Sequence, residues 1–250
     1  SDGMTLSCDF VIYVQGQGLR VELNWDTQGD THGDTDVDLH LHRKSLPDTV
    51  TTGETDFFTD DDCYYANCKG SDYADGTGGI FSLGDVRGRW SLPDTTDLSV
   101  CASAPHGEGA QWTMRGACYN PRLDVDVINC TNSVTDSTAF DFCAPENINV
   151  DDPPNGSVYR VMVNYYSQHT FTGTTHPSIN IYCGGELRAT YGVDTTLVNF
   201  RNGSDYGEAN DNWHVADVKM FVNSCGQTDC MIMPINTIVR GAGFTEPWSF

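Results

Sequence analysis

The chain has little positive charge. Lysine and arginine together number 13 against 35 aspartate and glutamate residues, which leaves a formal net charge of -22 on 250 residues. Such a chain repels the phosphate backbone of nucleic acids and anionic membrane surfaces. The scarcity of basic residues therefore argues against nucleic-acid binding and membrane insertion, and it favours cations as ligands.

Long apolar runs and helical periodicity are scarce as well. No apolar run approaches the roughly 18 residues that a helix needs to cross a bilayer. The first ten residues, SDGMTLSCDF, lack the basic and then apolar order of a secretory leader, so we expect any signal peptide to have been removed already. Alternation of apolar and polar residues, bounded by Gly, Asn, Asp and Pro, recurs instead. This pattern predicts an all-β fold.

The alternating segments predict a two-sheet antiparallel β-sandwich with a jelly-roll-like arrangement, formed by a single domain over residues 1–250. Gly184 and Gly185 separate two of the segments and predict a tight hairpin, because both positions tolerate a positive φ. Residues 69–120 are rich in glycine and predict a long loop insertion, and residues 231–250 predict an apolar tail. The predicted strands are 8–14, 19–25, 36–42, 62–67, 122–128, 158–166, 178–183, 186–191 and 213–222.

The ten cysteines contain no C-x-x-C pair and no zinc-finger spacing, which favours disulfides and an oxidising, extracellular compartment over metal thiolates. We therefore expect a secreted protein. Closeness in sequence favours four local disulfides, and the two remaining cysteines would then pair with each other. Other connectivities, including one or more free thiols, stay open at this point. The predicted pairs are Cys63–Cys68, Cys101–Cys118, Cys130–Cys143, Cys225–Cys230 and Cys8–Cys183.

Catalytic motifs are missing from the sequence. It has no G-x-S-x-G, no D-T-G and no H-E-x-x-H, so covalent catalysis and zinc-protease chemistry have no support. His40 and His42 share one strand face and leave a zinc site open as an alternative to hydrogen-bonded histidines. We expect a non-enzymatic protein. A carbohydrate-binding or carbohydrate-cleaving protein is the alternative, with Trp90, Trp112 and Tyr119 of the insertion stacking on sugar rings.

Two D-x-D pairs lie in predicted strands. Asp36 and Asp38 alternate with apolar residues and share one strand face, and Asp124 with Asp126 does the same in a second strand. Carboxylates brought this close repel one another unless a cation neutralises them, and oxygen ligands select calcium. Two ordinary solvated strand faces are the alternative. An EF-hand is excluded, because Leu39 stands where its loop needs glycine.

The order of the motifs resembles a family. LRVELNWDT, TDVDLHL, DCYYAN, RLDVDV, PENINV, YRVMVNYYSQH, INIYCGGEL and NWHVADV follow one another as in secreted β-sandwich domains of uncharacterised function from myxobacteria and related bacteria. A more distant resemblance is to the tellurium-resistance calcium-binding domains, although their glycine-rich G-D-N loop is replaced here by RLDVDVINC. The resemblance implies calcium ligands at Asp26, Asp36, Asp38, Asp124, Asp126, Glu146 and Asn147.

These observations together predict an extracellular calcium-binding module with an adhesive, structural or surface-assembly role. Its expected partners are a cell-surface or extracellular polymer, or further copies of the same chain. Calcium is the expected cofactor, because the acidic composition and the D-x-D pairs both favour a hard divalent cation.

Overall fold

The computed structural model describes the two sheets of the fold and the turns next to them. The described residues are 18–26, 35–44, 61–65, 68, 121–124, 145–167, 174–192, 197–198, 211–240 and 248–250. Within these ranges the regular secondary structure is entirely β-strand. The strands are β1 (Leu19–Asp26), β2 (Asp36–Arg43), β3 (Asp62–Cys63), β4 (Arg122–Leu123), β5 (Glu146–Val150), β6 (Val158–Ser167), β7 (Thr174–Cys183), β8 (Glu186–Tyr191), β9 (Leu197–Val198), β10 (Asp211–Val222) and β11 (Thr228–Arg240).

The strands form two antiparallel sheets that pack face to face. One, which we name the β1 sheet, has the order β4-β5-β1-β7-β8, and β9 also pairs with β7. The other, the β2 sheet, has the order β11-β10-β6-β2-β3. Each described pairing is antiparallel. The predicted all-β sandwich is therefore confirmed.

The core lies between the two sheets and follows from the period-two alternation of the strands. On β1 and β2, every second residue is apolar and fully buried, and these residues face one another across the sandwich. Trp25 and Trp213 are among the largest buried side chains. Burial of each such aliphatic or aromatic side chain contributes roughly 1.5–3 kcal/mol. The facing rows are Leu19, Val21, Leu23 and Trp25 on β1, and Val37, Leu39 and Leu41 on β2.

The predicted hairpin between β7 and β8 is present. Gly184 and Gly185 have φ values of 59° and 84°, in the left-handed region that glycine adopts without strain. A Cβ atom on Gly184 would also stand 2.4 Å from the carbonyl oxygen of Thr228. Glycine is therefore required at position 184 both for the turn and for the close approach of β11.

Three strands of the structure, β5, the two-residue strand β9 and β11, are not among the predicted ones. In β5, only Ile148 and Val150 are apolar, so the alternation is too short to stand out. Residues 231–240 of the predicted tail belong to β11, which is an edge strand of the β2 sheet. Met231 and Met233 point outward while Ile232 packs against the core, so apolar residues on both faces hide the period-two pattern. The predicted strand 8–14 and the insertion 69–120 lie outside the described residues.

The disulfides confirm one predicted pair and correct two others. Cys63 is bonded to Cys68, as predicted. Cys183 is bonded to Cys230, so the predicted pairs Cys8–Cys183 and Cys225–Cys230 are wrong. The remaining two predicted pairs lie outside the described residues.

Strand packing explains the correction. Cys183 ends β7 and Cys230 stands near the start of β11, with their Cα atoms 5.9 Å apart. Cys230 packs against the core, whereas Cys225 is exposed in the turn between β10 and β11 and carries a free thiol. Nearness in sequence therefore misled the pairing of Cys225, because the alternation of β11 turns Cys230 toward the other sheet. The two disulfides indicate an oxidising setting.

We expect the double substitution Cys183→Ser and Cys230→Ser to lower the free energy of unfolding by about 4 kcal/mol in the chain-entropy model, because this bond spans 47 residues. The matched control is Cys63→Ser with Cys68→Ser, which opens a bond that spans only 5 residues and should cost about 2 kcal/mol. Urea denaturation under non-reducing conditions measures both. Peptide mapping that found Cys183 bonded to Cys8, or Cys230 to Cys225, would contradict the assignment.

Candidate functional site

The strand directions bring the predicted acidic residues to one end of the sandwich. Because β1 and β5 are antiparallel, the end of β1 lies beside the start of β5, where Leu23 is opposite Glu146. The end of β4 joins them, since the Asp124 N–H donates to the carbonyl oxygen of Asn147 at 2.9 Å. We call this region, which also includes the start of β2, the acidic end. It contains Asp26, Asp36, Asp38, Asp124 and Glu146.

Glu146 links the two sheets at the acidic end. Its buried carboxylate accepts a hydrogen bond from the Leu39 N–H at 2.8 Å. The short strand β3 pairs with β2 at Leu41 and His42 and does not extend to Leu39. A side chain of the β1 sheet therefore supplies a hydrogen-bond acceptor to the edge of β2, and this contact holds the start of β2 against β5.

Asp36 and Asp38 lie on the outer face of β2, but this face is not solvated. Their exposed fractions are only 4% and 2%. Ser167 is opposite Asp36 in the register, and Asn164 is opposite Asp38. Asn164 in turn donates from Nδ2 to Oδ1 of Asn212 on β10 at 2.7 Å. Two carboxylates are thus buried beside oxygen-bearing side chains, which rules out a solvated strand face for β2.

Asp124 lies on a different surface. Arg122 Nε donates to its Oδ1 at 3.0 Å, and Asn149 Nδ2 donates to its Oδ2 at 2.7 Å. Because Leu123 between Arg122 and Asp124 packs into the core, Asp124 faces outward from the β1 sheet. Asp36 and Asp38 face outward from the β2 sheet. The structure therefore does not bring Asp124 into one coordination sphere with them.

The remaining predicted calcium ligands are Asn147, Asp26 and Asp126. Asn147 accepts a hydrogen bond from Arg20 at 2.9 Å, and Arg20 also pairs with Glu22 at 2.7 Å. The side chain of Asp26 and the whole of Asp126 lie outside the described residues. In the described part of the chain, no three histidine, cysteine, aspartate or glutamate side chains form a metal-binding group.

The sequence interpretation considered His40 but missed the group to which it belongs, a set of polar residues on the outer face of the β2 sheet. His40 Nδ1 and Asp62 Oδ2 are 2.7 Å apart, and both side chains are fully buried. Arg160 donates from Nε and Nη2 to the two carboxylate oxygens of Asp217, at 2.8 and 3.1 Å. His214 lies next to Met162 in the register, as does His40. We call His40, Asp62, Arg160, Asp217 and His214 the polar layer.

Residues 248–250 contact the Arg160–Asp217 pair of the polar layer. The Arg160 guanidinium lies 4.4 Å from the centre of the Trp248 ring, within the range of a cation–π interaction. The Ser249 N–H donates to Asp217 Oδ2 at 2.7 Å, and Lys44 Nζ donates to the Phe250 carbonyl oxygen at 2.8 Å. The Arg160–Asp217 pair is fully buried beneath these residues. Removing one partner would therefore leave the other as a buried charge without a counter-ion.

The geometry gives His40 and His42 different surroundings. His40 stacks on Tyr64, with ring centres 5.3 Å apart, and is bonded to Asp62. His42 lies against Trp248, with ring centres 5.8 Å apart. The His40–Asp62 pair has the residue types of a general base and its orienting carboxylate. However, neither side chain has exposed surface at which a substrate would meet it.

Burial also alters the acid–base behaviour of the polar layer. The pKa of His214 is lowered from 6.5 to about 3, mainly by burial and next by the positive charge of Arg160, while Asp217 acts in the opposite direction. His214 is therefore neutral near pH 7. Burial likewise raises the pKa of Tyr65, and its hydrogen bond with Tyr166 contributes to the same shift.

Comparisons with known proteins give no match to this chain among family models, curated proteins or solved structures. The resemblance to the myxobacterial and tellurium-resistance domains stays a prediction. The described residues contain no helix that is long and apolar enough to span a membrane. Trp90, Trp112 and Tyr119, the predicted sugar-stacking residues, lie outside the described residues.

We expect stability to fall as the pH drops from 6.5 toward 3, because in this window the unfolded chain protonates position 214 and the folded chain does not. The contribution of one such proton is about 1.4 kcal/mol per pH unit. Urea titrations at several pH values measure the slope. His214→Gln should flatten it, whereas the control His176→Gln on β7 should not. Equal slopes for the wild type and His214→Gln would contradict the expectation.

Proposed function

We propose that this protein is an extracellular calcium-binding β-sandwich module with a structural or adhesive role, and that calcium binds beside Asp36 and Asp38. The observation that carries the proposal is the burial of these two carboxylates on one strand face next to oxygen-bearing side chains. The disulfides support the extracellular setting, because such bonds persist in oxidising compartments.

Electrostatics favours a cation at this position. Alternate residues of a strand are roughly 7 Å apart, so two ionised carboxylates there repel each other by about 2 kcal/mol at an effective dielectric constant of 20. Burial adds a desolvation cost for each charge. A divalent cation between Asp36 and Asp38 reverses the sign of the interaction and replaces part of the lost hydration.

The donor chemistry favours calcium among the divalent cations. Asp36 and Asp38 supply carboxylate oxygens, Ser167 a hydroxyl, and Asn164 with Asn212 amide oxygens. Calcium takes six to eight oxygen ligands in flexible geometry, and the residues opposite Asp36 and Asp38 in the register, Ser167 and Asn164, offer oxygen ligands. Water and backbone carbonyls would complete the coordination.

The proposed role is mechanical. Ions held at the start of β2 would stabilise the same strand end that Glu146 ties to the β1 sheet through Leu39. A stiffened strand end supports the loop next to it, and loops commonly carry binding surfaces. An extracellular or cell-surface polymer is the proposed partner, since the formal charge of -22 disfavours nucleic acids and anionic membranes.

We expect calcium to raise the melting temperature of the chelator-treated protein. Free calcium at 100 times its Kd would add about 2.7 kcal/mol, which corresponds to about 5–10 °C for a chain of this size. Asp36→Asn with Asp38→Asn should abolish the rise, because the amides lack the charge that calcium binds. Differential scanning calorimetry, with isothermal titration for the Kd, measures both effects.

The matched control is Asp152→Asn with Glu186→Gln. Both residues are exposed and lie outside the acidic end. The double substitution removes two negative charges, the same number as Asp36→Asn with Asp38→Asn. This variant should keep the full calcium response. A melting temperature that is indifferent to chelator and calcium in the wild type would refute the proposed function.

A further inference from the structure

The turn between β5 and β6 contains the sequence Asn155-Gly156-Ser157. Asparagine followed by any residue except proline and then by serine or threonine is the acceptor pattern for N-linked glycosylation, and in a secreted protein it belongs in a surface loop. The pattern also occurs at Asn129 and at Asn202, which lie outside the described residues. Asn155 is therefore the occurrence whose surroundings the structure shows.

Asn155 lies at the surface of the protein. It is exposed, and so are its neighbours Pro154 and Gly156. Apart from its chain neighbours, a Cβ atom built on Gly156 would meet no described atom within 4 Å, so the space beside the asparagine is open. Most other asparagines of the described residues are buried or half-buried. The acceptor pattern thus coincides with a position that has room for a bulky, hydrophilic group.

The fold fixes one side of the Asn155 carboxamide and leaves the other side available. Its Oδ1 accepts a hydrogen bond from the Val222 N–H at the end of β10, at 3.2 Å. The Gly156 N–H donates to the Met220 carbonyl oxygen at 2.8 Å and holds the turn against the same strand. Within the described part of the chain, Asn155 Nδ2 has no hydrogen-bond partner. A glycan on Nδ2 would therefore leave the contact with Val222 in place.

We propose that Asn155 is a site of N-linked glycosylation, with an oligosaccharide carried on a lipid diphosphate as the donor. In the transfer, Nδ2 forms a bond to the anomeric carbon of the first sugar and loses one proton. The bond from that carbon to the diphosphate oxygen breaks, and the lipid diphosphate leaves. The disulfides support this assignment, because they form in the oxidising compartments through which secreted proteins pass. Glycosylation of Asn155 requires the extracellular setting of the proposed function but not its calcium site.

The test is mass mapping of peptides from the full chain secreted by a eukaryotic cell. Peptide N-glycosidase in isotope-labelled water releases an N-linked glycan and converts its asparagine into labelled aspartate. We expect the label at position 155. Ser157→Ala should abolish it, because the acceptor pattern is lost. The control Ser157→Thr keeps the pattern and should keep the glycan.

Both variants retain Asn155, and melting curves establish that each is folded. A secreted wild-type chain without a glycan on Asn155 overturns the proposal, and so does a glycan that persists there in Ser157→Ala. Glycans on Asn129 or Asn202 map to other peptides and cannot be mistaken for this site. The calcium response is measured on the melting temperature, so failure of the calcium site and failure of the glycosylation site are distinguishable.

Discussion

Strand β2 is buried on both of its faces, and this constraint organises the rest of the structure. Its inner face carries Leu39 and Leu41 into the core, as in any sandwich. Its outer face carries aspartates and histidines that are equally buried, so each must find a polar partner. Asp62 on β3 meets His40, and residues 248–250 close over His42 and its neighbours. The polar layer and its cover follow from this demand.

Negative charge is distributed unevenly between the acidic end and the edge strands β8 and β11. At the acidic end, the ends of β1 and β4 and the starts of β2 and β5 lie side by side, because antiparallel pairing places the end of one strand beside the start of the next. The edge strands β8 and β11 together contain two acidic and two basic residues, so they carry no net charge. Repulsion between like charges is therefore stronger at the acidic end than along β8 and β11, since it is strong only where like charges are close.

Much of the fold could be predicted from the sequence, because alternation is a local signal. The segments around Leu39, Val161 and Val218 alternate clearly and form β2, β6 and β10. β5 and β11 could not be predicted in the same way, since one is short and the other has apolar residues on both faces at its start. Burial of Asp36 and Asp38 was not predictable either, because alternation shows which residues share a face and not what covers that face.

The sequence by itself determined the fold class, the hairpin at Gly184 and Gly185, the Cys63–Cys68 bond and the acidic character, since each depends on residues close together in the chain or on composition. Only the tertiary structure decided that Cys183 bonds Cys230, that Glu146 reaches Leu39, and that Arg160 pairs with Asp217. It also placed Asp124 and Asp36 on the outer faces of different sheets. These contacts join residues distant in sequence, and the register and order of the strands bring them together, which no local pattern encodes.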